Sequence, residues 1–242
     1  MKRLGFLMLL STAAASCAAQ ELTMYLMEVP PLTINTAERK GVVGDIVLEA
    51  MRRAGYQAKL LVVPSNRALA AVANPASRNT LIIPLARVEA REEKYTWIAP
   101  IVKVNRAFFS LDKAVNSFDE ARSAFKVIGA ARGTAGVHIL RANGFADGQI
   151  YELNQDQTPQ KMLLNRRIDA WYGPVAEGKE WVKASDADNR VRVSASLGPT
   201  YNYLACSKSC DAELVSRLGS ALKAMEKDGT SKSIHKKYGD IE

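Results

Sequence analysis

LTMYLMEVPPLTINTAERKGVVGDIVLEAMRRAGYQAKLLVV, residues Leu22–Val63, holds one full cycle of the pattern that decides the fold. Leu22 to Met27 reads as a strand, and the Pro30-Pro31 pair breaks it because proline has no backbone N–H to give to a sheet. Gly41 to Gly44 then prepares a helix capped by Asp45. Ile46, Ala50, Met51 and Ala54 fall at helical spacing, Gly55 stops the run, and Ala58 to Val63 is an apolar, β-rich segment. A strand, a helix and a second strand in that order predict a parallel pair with a helical crossover.

The cycle repeats along the chain. Ser65 or Asn66 can cap a helix running through Val72, Thr80 to Leu85 is a compact apolar strand, and Arg87, Glu89 and Arg91 follow in a polar turn. Val102 to Leu111 reads as one longer strand. Lys126 to Ala131 reads as a strand entering Arg132-Gly133-Thr134, and Ala135 to Ala142 as a short helix closed by Asn143-Gly144. A further strand-helix-strand unit spans Gln149 to Tyr172. Ala212 to Lys227 places Leu214, Val215, Leu218, Leu222 and Met225 on one face and ends at Asp228-Gly229, as an amphipathic core helix does. The alternation predicts an α/β fold with mainly parallel sheets, in which ligands gather at the carboxyl ends of strands.

The first 19 residues have the form of a secretory signal peptide. Lys2 and Arg3 precede the apolar run Leu4 to Leu10 and the small residues that follow it, with cleavage expected after Ala18 or Ala19. Ala14-Ala15-Ser16-Cys17 also resembles a lipoprotein cleavage box, which would make Cys17 a lipidated first residue. Cleavage removes Lys2 and Arg3, so the formal charge of +8 falls to +6. The basic residues are scattered, aromatics make up 7%, and no nucleic-acid module signature is present, which points to a solvated basic surface and no nucleic-acid partner. In an oxidising compartment Cys206 and Cys210 are expected to pair as a disulfide. A metal site is the weaker alternative, because His138 and His235 show no ligand spacing with the cysteines or each other. Motifs for serine hydrolases, phosphate-binding loops and paired-histidine metal sites are absent, so neither a catalytic residue nor a cofactor is expected.

Taken together, Pro30-Pro31 with Gly44-Asp45-Ile46 and Ala50-Met51, then RVEAREEKYTWIAP (Arg87–Pro100), Ile128 to Thr134, Arg167-Ile168-Asp169-Ala170, and Ala221 through Tyr238 resemble extracellular solute-binding proteins of family 3. These are the receptors of polar amino acid uptake transporters, and the resemblance covers nearly the whole mature chain. It implies a type II periplasmic-binding-protein fold. Two α/β lobes, 20–102 plus 203–242 and 107–199, would be joined by two crossovers around a ligand cleft. It also implies a periplasmic monomer that captures a small molecule and serves an ABC permease or a sensor kinase of the inner membrane.

In such proteins an arginine at the position of Arg91 grips a ligand carboxylate, as a planar guanidinium can with two parallel hydrogen bonds. The competing reading is a surface arginine paired with Glu92 or Glu93. Arg87 is a candidate second anion ligand, Arg67 a source of positive charge at the cleft, and Thr134 opens a helix whose free N–H groups welcome an anion. The aspartate that receives the ammonium group in amino-acid-binding members is replaced by Pro174, the stacking aromatic by Leu32, and the threonine before the arginine by Val88. Glu28 is the candidate acceptor in place of that aspartate. The expected ligand is therefore a small anionic, carboxylate-bearing metabolite other than a standard α-amino acid. The rival is a periplasmic dehydratase-like enzyme on the same fold acting on cyclic carboxylates, with Glu28 as its acid or base.

Overall fold

The computed structural model describes residues 19–154, 157–184 and 190–239. Residues 1–18, and with them the leader and Cys17, lie outside the described residues. The opening cycle is β1 (Gln20–Leu26), α1 (Gly41–Arg53) and β2 (Tyr56–Val62). The two strands pair in parallel along their whole length, from Gln20 opposite Tyr56 to Leu26 opposite Val62. Asp45 is not the cap of α1. Lys40 holds that position, and Asp45, a turn inside the helix, reaches back to accept the Lys40 N–H at 2.9 Å. Gly41, at φ +82°, lies so close to the preceding loop that a Cβ would sit 2.5 Å from the Leu32 carbonyl oxygen, so only glycine lets the helix start there.

The chain continues through α2 (Ser65–Ala73), β3 (Leu81–Ala86), a 3-10 turn at Glu89–Lys94 and β4 (Tyr95–Val104). Next come β5 (Arg106–Ser110), α3 (Phe118–Ala124), β6 (Ile128–Ala131), α4 (Ala135–Ala142), β7 (Ile150–Leu153), α5 (Pro159–Leu164), β8 (Ala170–Pro174) and α6 (Val175–Ala184). The last elements are β9 (Arg192–Val193), β10 (Thr200–Ser207), α7 (Ala212–Lys227) and α8 (Thr230–Lys236). They form two five-stranded sheets of order β2-β1-β3-β10-β4 and β7-β6-β8-β5-β9.

The segment expected to be one strand over Val102–Leu111 is two. Asn105 separates them, with β4 in the first sheet and β5 in the second. The chain returns between β9 and β10, and the two passages touch: the Leu197 N–H donates to the Arg106 carbonyl at 2.8 Å.

Each sheet buries both faces. In the first, Met24, Leu26, Leu81 and Ile83 pack with Val43, Val47 and Met51 of α1 and Leu218 and Met225 of α7, while Ile82 and Leu85 meet Ala68 and Val72 of α2. In the second, Phe108 and Tyr172 pack with Val137 and Leu140 of α4, and Phe109 stacks on Trp171 at 4.9 Å on the other face. A fully buried side chain of this size contributes about 1.5–3 kcal/mol. On α7 the buried residues are Leu214, Leu218, Ala221, Leu222 and Met225, with Val215 half-buried at the rim of that face. Cys206 and Cys210 are disulfide-bonded, tying the end of β10 to the start of α7.

Candidate functional site

The carboxyl ends of β1, β3, β6 and β8 converge on a cavity of about 790 Å³ lined from both sheets. This is where a parallel α/β sheet leaves room for a ligand, because the chain diverges into loops beyond the last strand pairing.

Arg91 comes from the 3-10 turn after β3 and is 6% exposed. Its Nη1 donates to the Ala86 carbonyl at 2.9 Å, and its Nη2 crosses the cavity to the Gly133 carbonyl at 2.7 Å. The surface pairing that competed with the cleft role goes to another residue, since Glu92 binds Arg87 at 2.9 Å. Arg91 makes no ion pair among the described residues. Burial pushes its guanidinium below the usual arginine range, and the same positive charge, after burial itself, lowers the His138 imidazole on α4.

Opposite Arg91 lies the start of α4. Gly133 is at φ +73° and a Cβ there would lie 2.5 Å from the Asn66 side-chain oxygen, so α2 and the loop before α4 meet across the cavity. Thr134 lines the cavity at the N-cap and donates its hydroxyl to the Ala131 carbonyl at 2.7 Å. The first N–H groups of α4 point away from the helix body, with the positive end of its dipole.

Glu28 also lines the cavity, and its side chain is exposed. Arg87 and Arg67 do not line it. Arg87 is held by Glu92 and lies over the Trp97 and Tyr203 rings at 5.5 and 5.4 Å, while Arg67 is exposed on α2. In its place the neighbouring Ser65, Asn66 and Leu69 face the cavity.

Several lining residues were not anticipated. Arg106 begins β5, is 6% exposed, and donates to the Thr200 hydroxyl and to the Val104 carbonyl. Burial first, and the nearby Arg91 charge after it, push its guanidinium down to about 10. Asn202 of β10 is 5% exposed beside them. From α6 come Glu177 and Glu180, and burial raises the Glu177 carboxyl above its ordinary value despite a hydrogen bond from Gln160. Glu177 stands three residues beyond Pro174, so the cavity has a carboxylate on this side after all, on a helix rather than at the strand end. Trp171 and Tyr172 line the wall and belong to the core of the second sheet. Among the described residues no group of three or more His, Cys, Asp and Glu is placed to hold a metal ion.

Two α/β sheets linked by adjacent passages of chain, with a cavity where their strand ends meet, define the type II periplasmic-binding-protein fold. Solved structures that share it include EhuB in complex with hydroxyectoine, at TM-score 0.75 and 19% identity over 90% of this chain and 88% of that one. Another is the arginine-, lysine-, histidine-binding protein ArtJ from Geobacillus stearothermophilus, at 0.74 and 18% over 91% of this chain and 95% of that one. The GluR0 ligand-binding core from Nostoc punctiforme in complex with (L)-glutamate matches at 0.72 and 17% over 90% of this chain and 99% of that one. These are solute-binding proteins of the type that the sequence motifs resemble. No family model matches the chain, and no curated protein does either.

Proposed function

We propose that this protein is a periplasmic solute-binding protein of the family 3 type, which captures a small carboxylate-bearing metabolite by closing two lobes on it. The lobes comprise 20–102 with 203–242, and 107–199. Arg91 carries the reading: a buried guanidinium without an acidic partner, aimed from one sheet at the first residues of a helix on the other. An anion placed there neutralises the charge and takes N–H groups from both sides. Thr134 adds its hydroxyl, and Glu28 faces the remainder of the ligand from the loop after β1. Closure then presents one shape to a membrane partner, an ABC permease or a sensor kinase. Among the described residues no helix is long and apolar enough to cross a membrane, which suits a receptor that works beside its partner.

The test is thermal unfolding of the mature protein, unfolded and refolded to strip bound solute, against amino acids, dicarboxylates, aromatic acids and phosphorylated metabolites. A ligand at 100 times its dissociation constant stabilises by about 2.7 kcal/mol. A midpoint rise with one chemical class, with a smaller radius of gyration in solution scattering, is the expected result. Silence across the panel removes the solute-binding reading.

A further inference from the structure

Several exposed arginines are answered by carboxylates, Arg132 at the cavity rim among them, whereas the two most buried arginines are not. Arg87 binds Glu92, Arg132 binds Glu152, and Arg141 binds both Asp147 and Glu152. Arg91 and Arg106, each 6% exposed, make no ion pair among the described residues, although both line the same cavity. Buried charge is ordinarily the charge that must be paired, because it has lost its water.

The partners of Arg106 are weak ones for a cation. Its Nη1 donates to the Thr200 hydroxyl and, at 3.5 Å, to the Val104 carbonyl. These fix the fork at the junction of the two sheets without neutralising it. Arg91 is likewise held by two main-chain carbonyls. Beside them stand the start of α4, whose dipole is positive, and the neutral Asn202. This end of the cavity therefore collects at least two positive charges, and the acidic side chains that could answer them, Glu28, Glu177 and Glu180, line other parts of the wall without reaching either guanidinium.

Resting on the reading of this cleft as the solute site, we propose that Arg106 is a second ligand-binding guanidinium, and that the solute presents two negative charges to the Arg91–Arg106 pair. A single carboxylate answers only one of them. Two carboxylates, or the dianionic oxygens of one phosphomonoester, answer both. The carboxylates on the remaining wall disfavour further negative charge and accept hydrogen bonds from the far end of the solute.

Calorimetric titration of the stripped protein tests this with dicarboxylates of increasing length, amino and aromatic dicarboxylates, the monoamide of each, and simple phosphomonoesters. The dianionic members of one series bind about 30-fold tighter than their monoanionic counterparts, a ratio set by one charge-assisted pair. Arg106→Met erases that ratio, and Arg106→Lys keeps part of it. Arg91→Met weakens both. The preference for the carboxylate or the phosphoryl series identifies the source of the charge. Should monoanions bind as tightly as dianions, or the ratio survive Arg106→Met, the second-guanidinium proposal fails while the cleft remains the solute site. If nothing in the panel binds the wild-type protein, both fail. If Arg106→Met does not fold, Arg106→Lys decides, because replacing a purely structural arginine by lysine would leave the ratio at its wild-type value.

Discussion

Arg87 and Arg91 stand four residues apart after β3 and meet opposite fates. Arg87 lies on the outer side, 43% exposed at its side chain, with a carboxylate on its fork and two aromatic rings beneath it. Arg91 turns inward, loses its water and is given only carbonyls. The outer arginine is neutralised within the chain, whereas the inner one is held by carbonyls alone, which is why the proposed function gives it the solute. Both are arginines after the same strand, so residue type does not separate a clamp on a loop from a hand for a ligand. The partner does, and Glu92 is spent on Arg87.

The comparison is most exposed to a paired substitution. Arg91→Met should weaken solute binding about 100-fold and Arg87→Met less than about 3-fold, read by calorimetry, because only the first removes a charge-assisted bond to the ligand. Equal losses would show that the outer arginine also reaches the solute.

The second expectation reverses the order, in stability instead of affinity. Arg87→Ala should cost the ligand-free protein about 1 kcal/mol in chemical unfolding at low salt, from the ring contacts and a partly screened ion pair. About half of that cost should vanish at 1 M salt, where the screening length is about 3 Å. A loss indifferent to salt would assign the whole effect to packing on Trp97 and Tyr203.

A smaller effect lies on the far wall. Burial, with Glu180 adding to it, raises the Glu177 carboxyl above its ordinary value of 4.5. Below that value the folded and unfolded states are both protonated and the group contributes nothing. As pH rises through it the unfolded state ionises first, so stability falls until the folded carboxyl has ionised as well. Glu177→Gln should therefore raise the unfolding midpoint of the ligand-free protein at about pH 7 and leave it nearly unchanged at about pH 4. A rise of equal size at both would trace to the amide's hydrogen bonding, with the buried charge playing no part.

Much of the scaffold was legible in the residues. The helices at Ala135–Ala142 and Ala212–Lys227 have the expected bounds, because both are bracketed by strong stop signals and show apolar residues at helical spacing. The break at Asn105 was not, since VKVNRAFFSL carries β-prone residues on both sides of Asn105, and nothing local records that its halves join different sheets. Arg106 was missed for the same reason: within that run it reads as one polar residue on a strand, and its burial depends on Thr200, which is 94 residues away in sequence. Arg67 was expected near the cleft and lies outside it while Asn66 lines it. One position along a helix is a rotation of about 100°, so an uncertain cap is enough to choose the wrong face. Glu177 was not legible because the family position for the acceptor falls on Pro174 at the end of β8, while this carboxylate sits three residues on, in α6.

The two passages of chain between the sheets run side by side, joined by the Leu197 N–H on the Arg106 carbonyl and by Arg106 on Thr200. A single tether would let one body swing in any direction about a point. Two tethers bonded to each other leave a bend and a twist about one common line, as a double strap does on a lid. Under the proposed function, free and bound forms would then differ by little more than an angle. A second protein resting on the outer surfaces of both sheets would register that angle alone, and would receive the same signal whichever solute had set it.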